Sequence, residues 1–192
     1  MERNNLYPIF LKMSKLTVLI VGGGDVAEEK LNFLTKSSPD ATVVMVAPFF
    51  KEGVLALASK FNVTLIQENY GKEHLQDKQM VVATTDVIEV NLEVYHDCRE
   101  RNILVNVADN PPYCDFYMGG IVTKGNVKIA ISTNGKSPTT AKRLRQFFEE
   151  VIPEDINKMV ENLNAYRKTI KGDFSNKVTV LNKLTEELLA KN

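Results

Sequence analysis

The chain has no tryptophan, two histidines and two cysteines in 192 residues. Cys98 and Cys114 stand in no metal-ligand spacing, and two cysteines make no disulfide framework. Both read as free thiols of a reducing compartment, serving packing. His74 and His96 have no partner spacing, which sets aside a histidine metal site and a Ser/His/Asp triad; no metal ligand is expected. No apolar run approaches the roughly 20 residues of a membrane span. The polar start Met1-Glu2-Arg3-Asn4-Asn5 is followed by no apolar signal core, so a cytoplasmic protein is expected. Lys plus Arg (24) balance Asp plus Glu (24), and a net charge of zero argues against a general nucleic-acid binder. One absence is local. From Phe116 to Phe148 there is no acid, while Lys124, Lys128, Lys136, Lys142, Arg143 and Arg145 all fall there. Such a stretch either sets a positive field for an anionic small molecule or forms a solvated helix face paired with Glu149 and Glu150.

Against these absences stands one pronounced motif. Val18-Leu19-Ile20-Val21 is an apolar, β-branched run that enters Gly22-Gly23-Gly24-Asp25-Val26-Ala27, and a helical pattern follows at once. Gly22 suits a tight turn, Gly24 a close backbone approach to a pyrophosphate, and Ala27 close packing of helix on strand. The N–H groups at the start of that helix would face the anion.

Hydrophobic content of 44% and charged content of 25% are those of a globular protein long enough for one α/β domain and an extension. Short strands rich in Val, Ile and Leu are predicted at residues 17–21, 42–46, 63–66, 80–84 and 104–107. Helical stripes fall between them at 25–35 (Val26, Leu31, Leu34), 50–60 (Val54, Leu55, Ala58) and 87–99 (Val90, Val94, Tyr95). The alternation predicts an α/β fold with a Rossmann-like, doubly wound parallel sheet. Pro8-Ile9-Phe10-Leu11 reads as an edge or lead-in segment. After Pro111-Pro112 the rhythm changes. Residues 116–123 and 127–133 flank Lys124-Gly125-Asn126 as a hairpin. Ser137-Pro138 then caps a helix to about Val151, carrying Ala141, Leu144, Phe147 and Phe148. Two more helices are predicted, one from Pro153 with Ile156, Met159, Val160 and Leu163, and one over 176–189 with Val180, Leu181, Leu184 and Leu188, separated near Gly172. The organisation expected is a nucleotide-binding domain at 1–113, a hairpin and helix dimerisation region at 114–150 and a helical region at 151–192.

In an open parallel sheet, ligands lie outside the carboxyl ends of the strands. That rule selects Gly22, Gly23, Gly24, Asp25 and Val26 for the pyrophosphate, Pro48 and Phe49 for the adenosine half, Thr84 and Thr85 past the fourth strand, and Asn106 to Pro111 past the fifth. The second strand ends Val46-Ala47-Pro48-Phe49-Phe50, without the acid that usually holds a ribose and without an Arg; Lys51 is the nearest charge. This segment therefore does not choose between NAD and NADP. Asp109 is the candidate carboxylate, with partial burial expected to raise it from an ordinary value of about 3.9 into the range of a useful base. Asp109-Asn110-Pro111 is equally good turn chemistry. Residues 132–138 end a strand and open a helix, where hydroxyls and N–H groups bind anions or simply cap.

Taken together, Tyr7-Pro8-Ile9-Phe10-Leu11, Val21 through Ala27 with Lys30, Val46-Ala47-Pro48, Ala83-Thr84-Thr85-Asp86, Asn106-Val107-Ala108-Asp109 and Ile131 through Pro138 resemble the precorrin-2 dehydrogenase family, which includes the N-terminal module of siroheme synthases. The resemblance covers most of the first three quarters of the chain. It implies NAD-dependent oxidation of the tetrapyrrole precorrin-2 to sirohydrochlorin, with Asp109 the essential carboxylate and Asp25-Val26 and Pro48-Phe49 contacting NAD. It also implies a homodimer built through the hairpin and helical part. Hydride would pass from macrocycle to nicotinamide, with a proton lost to Asp109 or to water it orients. The substrate's acetate and propionate groups match the acid-free stretch, and Asn106, Ser132, Thr133, Ser137 and Lys142 are the substrate-binding candidates. No methyltransferase module is present, so the dehydrogenase is expected to stand alone. Some relatives also insert iron; Ser132-Thr133 replaces a Ser-Ser pair found in some of those, which favours dehydrogenation only. A non-catalytic NAD-sensing module is the other alternative.

Overall fold

The computed structural model describes residues 3–186. It divides into two compact units, Met1–Gly119 and Gly120–Asn192.

The first unit is a five-stranded parallel sheet. β1 (Thr17–Val21), β2 (Thr42–Val46), β3 (Val63–Ile66), β4 (Met80–Ala83) and β5 (Leu104–Val107) stand in the order β3-β2-β1-β4-β5. α1 (Asp25–Ser37), α2 (Glu52–Ala58) and α3 (Ile88–Glu100) make crossovers. This is the doubly wound α/β fold, with the strand order reversing at β1. Side-chain alternation divides the core in two. Val18 and Ile20 of β1 join Val43, Met45 and Val82 against Ala27 and Leu31 of α1 and Val54 of α2. Leu19 and Val21 join Val81, Ala83, Val105 and Val107 against Leu75 and against Val94 and Cys98 of α3. Register keeps the two sets apart, with Leu19 opposite Val44 on one side and Val81 on the other.

Several boundaries differ from expectation. β4 ends at Ala83, one residue early, yet the Thr84 N–H still donates to the Val21 carbonyl at 2.8 Å. α2 begins at Glu52 because the Lys51 N–H donates to the Gly23 carbonyl at 2.9 Å. Pro8 to Leu11 form no strand and are exposed. Residues 116–119 are not hairpin: Phe116 and Met118 pack on the α1/α2 face of the sheet, and the strand starts at Gly120, four residues past its predicted start.

In the second unit, β6 (Gly120–Lys124) and β7 (Val127–Ile131) form an antiparallel hairpin with Gly125 at φ +58° in its turn. α4 (Pro138–Val151) packs on both strands, and α5 (Ile156–Thr169) on β7 and on α6 (Phe174–Leu184). Ser137 caps α4, its Oγ accepting from the Thr140 N–H at 3.1 Å. α5 starts three residues past Pro153, whose carbonyl accepts from Ile156 in the turn before it. α6 starts two residues early because the Asp173 carboxylate caps it through the Asn176 N–H at 2.9 Å. Leu188 and the predicted end at Leu189 lie outside the described residues. α4, α5 and α6 contain no fully buried residue, and Leu144, Phe147 and Val151 of α4 are exposed at helical spacing.

Cys98, with no exposed surface, is pushed up from 9.0 to about 12 by burial, then by the Asp97 and Asp115 charges. Tyr70 is raised as well, by burial and by Asp97, which accepts its hydroxyl at 3.1 Å. Both groups keep their protons in the folded chain at a pH where the unfolded chain has released them. Stability is therefore expected to fall by up to ~1.4 kcal/mol per pH unit as pH rises past the unfolded thiol value of about 8.5, with Tyr70 adding to the slope only past the unfolded phenol value of about 10. Urea unfolding of the parent and Cys98→Ala between pH 7 and 10 tests this. The variant should lose the first part of the slope, and parallel curves would refute the assignment.

Candidate functional site

The three glycines do three different things. Gly22 ends β1 with φ +123°, and a Cβ there would lie 2.5 Å from Thr84 Oγ1. Thr84 is buried, its hydroxyl donating to the Val21 carbonyl at 2.8 Å. A Cβ on Gly23 would lie 2.0 Å from the Phe49 carbonyl oxygen, so this glycine seats the β1–α1 loop on the β2–α2 loop. A Cβ on Gly24 would meet nothing within 4 Å. Gly24 is the N-cap of α1 and brings no capping side chain, so the first N–H groups of the helix are left for an outside acceptor. Open space at Gly24 and uncapped donors at the start of α1 fit a dinucleotide's pyrophosphate.

Asp25 and Val26 open the helix. The Asp25 carboxylate pairs with Lys51 Nζ at 2.5 Å, placing a counter-charge beside an acid that would otherwise repel an anion. Pro48 and Phe49 are both exposed past β2, and the Phe49 ring offers a flat apolar surface. Thr85 is less free than expected. Its hydroxyl engages Asn91 Oδ1 (2.8 Å) and the Val87 carbonyl (2.9 Å), and the Asn91 amide donates to the Thr85 carbonyl at 2.8 Å. Thr85 and the buried Asn91 therefore build the β4–α3 turn.

Asp109 sits past β5 in a turn closed by the Asn110 N–H on the Val107 carbonyl at 3.1 Å, with φ +58°. The turn is tied to the neighbouring strand by the Ala108 N–H on the Ala83 carbonyl at 2.9 Å. The partial burial expected of Asp109 is not found: the residue is exposed. It stands at the last position of a turn's central pair, where the left-handed conformation turns its side chain outward. Asn106, expected to face substrate, is buried and points inward, donating to the Phe116 carbonyl at 2.8 Å and to Cys114 Sγ at 3.3 Å.

In the second unit, residues 132–138 form a closed loop with Asn134 and Gly135 at positive φ. Thr133 Oγ1 donates to the Ser137 carbonyl at 3.1 Å and accepts from the Ser137 N–H at 3.3 Å. Ser132 Oγ accepts from the Asn134 N–H at 3.1 Å and keeps its own proton to donate. Lys142 is exposed on α4 and forms no ion pair among the described residues. The basic stretch is partly neutralised, since Lys124 pairs with Glu154 and Arg145 with Glu149 at 2.5 Å.

Residues 9–120 match the family model described as "Putative NAD(P)-binding". The chain belongs to this NAD(P)-binding family. Residues 124–150 match a second model, the central region of a sirohaem biosynthesis protein. The chain is 40% identical over 167 residues to a siroheme synthase of Pseudoalteromonas translucida, covering 87% of this chain and 35% of that one. It is 37% identical over 183 residues to a siroheme synthase of Pseudoalteromonas atlantica, covering 95% and 39%. It thus spans less than two fifths of the length of these relatives. The fold is that of SirC, precorrin-2 dehydrogenase, with a TM-score of 0.77 at 21% identity over 95% of this chain and 90% of that one. The homology expected from the motifs is therefore present in both halves of the chain.

Within the NAD(P)-binding unit, the carboxyl edge of the sheet brings together Gly22 to Val26, Phe49, Thr84 and the Asp109 turn. Three residues of this edge escaped sequence reasoning. Lys51 was visible as the nearest charge, but not its pairing with Asp25. Asn91 shares a helical stripe with the buried Val94 and Cys98, and a polar residue on a core stripe was its signal. Cys114 had none. Among the described residues no group of three His, Cys, Asp or Glu is placed to hold a metal ion, and no helix is long and apolar enough to cross a membrane.

Proposed function

We propose that this chain catalyses the NAD-dependent dehydrogenation of precorrin-2 to sirohydrochlorin, in the cytoplasm and as a homodimer. The observation that carries the reading is the shared strand edge: uncapped α1 donors facing open space at Gly24, and an exposed carboxylate, Asp109, on the turn after β5. Sequence relationship to siroheme synthases supports the substrate. The backbone of residues 22–26 holds the pyrophosphate, with Lys51 offsetting the Asp25 charge. Phe49 and Pro48 flank the adenosine, while Gly22 and Thr84 keep the loop close to the sheet. When bound, the nicotinamide supplies the hydride acceptor. Asp109 receives the proton that leaves the macrocycle, directly or through a water it orients. Thr85 and Asn106 shape the walls of the site. In the second unit, taken by itself, the Ser132 hydroxyl and the Lys142 ammonium are donors of the kind that binds carboxylates, while Thr133 and Ser137 hold their loop in shape. The exposed Leu144, Phe147 and Val151 support pairing of two copies.

Among the described residues the cation nearest the end of β2, Lys51, pairs with Asp25, which makes it a poorer partner for a 2′-phosphate. Turnover of precorrin-2 is therefore expected with NAD, at a kcat/KM at least about tenfold above that with NADP. The visible spectrum of the macrocycle and the NADH absorbance should rise together. Tight NAD binding without spectral change would favour a sensor, and metal-dependent spectral change of sirohydrochlorin on adding ferrous or cobaltous ion would reveal chelation. Sedimentation of the intact chain at a monomer's mass would refute the dimer.

A further inference from the structure

The turn that carries Asp109 is clasped from beneath by Cys114, a side chain that no sequence motif marks. Cys114 Sγ lies 3.2 Å from the Val107 carbonyl and 3.4 Å from the Asn110 carbonyl, the first and last residues of that turn. A thiol has one proton, so it serves one carbonyl at a time or both at an angle. The sulfur itself accepts from the Asn106 amide, which also donates to the Phe116 carbonyl. The flanking residue completes the clasp. The Asp115 N–H donates to the Val105 carbonyl at 2.8 Å, and its Oδ2 accepts from the Val105 N–H at 3.1 Å, while Oδ1 pairs with Arg99 at 2.9 Å. Residues 114–116 thus close the loop from Ala108 to Tyr113 back onto β5.

The turn needs such support. Asp109 occupies φ +58°, a region that favours Gly or Asn at the third position of a tight turn, and its carboxylate has no hydrogen bond or ion pair among the described residues. Nothing on the side chain fixes its direction, so direction has to come from the backbone beneath. We infer that Cys114, oriented by the Asn106 amide, is a positioning residue that sets the aim of the Asp109 carboxylate. The inference rests on Asp109 being the proton acceptor of the proposed reaction. Burial, with the Asp115 charge, raises the Cys114 thiol above its ordinary value, so it stays a donor through neutral pH.

The test uses the full chain with NAD and precorrin-2, comparing Cys114→Ala, Cys114→Ser and Asp109→Asn. Cys114→Ala should lower kcat about tenfold, the size of effect a small misplacement of a reacting group produces, with KM for NAD unchanged. Hydrogen exchange at the Asn110 amide should speed up by a similar factor, while β5 amides keep their protection. Cys114→Ser, which retains a donor, should restore both readouts. The inference is overturned by parental kcat in Cys114→Ala, by unaltered Asn110 exchange, by loss of protection across β5 as a whole, or by a Ser variant no better than Ala. Full turnover in Asp109→Asn would instead overturn the role of Asp109. The exchange measurements judge the clasp in either case.

Discussion

Asp109→Asn loses at least about a hundredfold in kcat and binds NAD as the parent does. Asparagine is the discriminating substitution because it keeps the shape of the side chain and tolerates the left-handed backbone that this turn imposes at φ +58°. Only the capacity to hold a proton is lost. Asp109→Ala should lose turnover equally, with an additional cost to stability of up to about 1 kcal/mol, because alanine adopts the left-handed backbone less readily than Asp or Asn. The pair therefore separates chemistry from backbone strain. NAD affinity is preserved because Asp109 follows β5, whereas the donors for the pyrophosphate follow β1, on the other side of β4. Steady-state kinetics with isothermal titration of NAD check the prediction. An Asn variant within threefold of parental kcat, a loss of well under 1 kcal/mol in transition-state stabilisation, would remove Asp109 from the mechanism.

Two neighbouring glycines should fail in different ways. Gly24→Ala places a methyl group where the folded chain has nothing within 4 Å, so thermal stability should stay close to the parent's. If the pyrophosphate lies in that open space, the same methyl crowds it, and NAD affinity should fall at least tenfold, about 1.4 kcal/mol. Gly23→Ala drives a Cβ to 2.0 Å from a backbone carbonyl, that of Phe49. Neither loop can yield by rotating a side chain, because Lys51 N–H to Gly23 carbonyl already pins them together. The expected cost is about 1–3 kcal/mol of stability, with loss of NAD binding as well. Melting curves with and without NAD distinguish the cases. Gly24→Ala should melt like the parent without NAD and gain little from it, whereas Gly23→Ala should melt early in both conditions. If Gly24→Ala binds NAD as tightly as the parent, the open space before α1 is not where the pyrophosphate lies.

The helix stripes show where local reading stopped. Val26, Leu31 and Leu34 are the expected inner face of α1; Leu31 is buried and Leu34 packs on the core, with Ala27 and Thr35 buried beside them. On α3, Val94 is buried and Val90 and Tyr95 pack on the core as expected, with Asn91 and Cys98 buried beside them. Hydrophobicity alone pointed past Thr35 and Asn91, because a polar side chain can be buried once the fold supplies its partners. Thr35 finds the Leu31 carbonyl at 2.9 Å, and Asn91 finds Thr85. Residues 116–119 read as strand for a related reason: they continue the apolar run that flanks the hairpin turn, but Phe116 and Met118 pack on the sheet of the first unit.

Element type and order, the five short strands, the glycine turn and the position of Asp109 could all be read along the chain, because periodicity and turn chemistry act over a few residues. What each polar group of the site is free to do could not. Whether Thr85, Asn106, Thr133 and Ser137 face a ligand or bond to their own backbone depends on partners brought near by the fold, as does the pairing of Lys51 with Asp25. Hydrogen bonds and steric contacts act over about 3 Å, and only folding brings residues so distant in sequence that close.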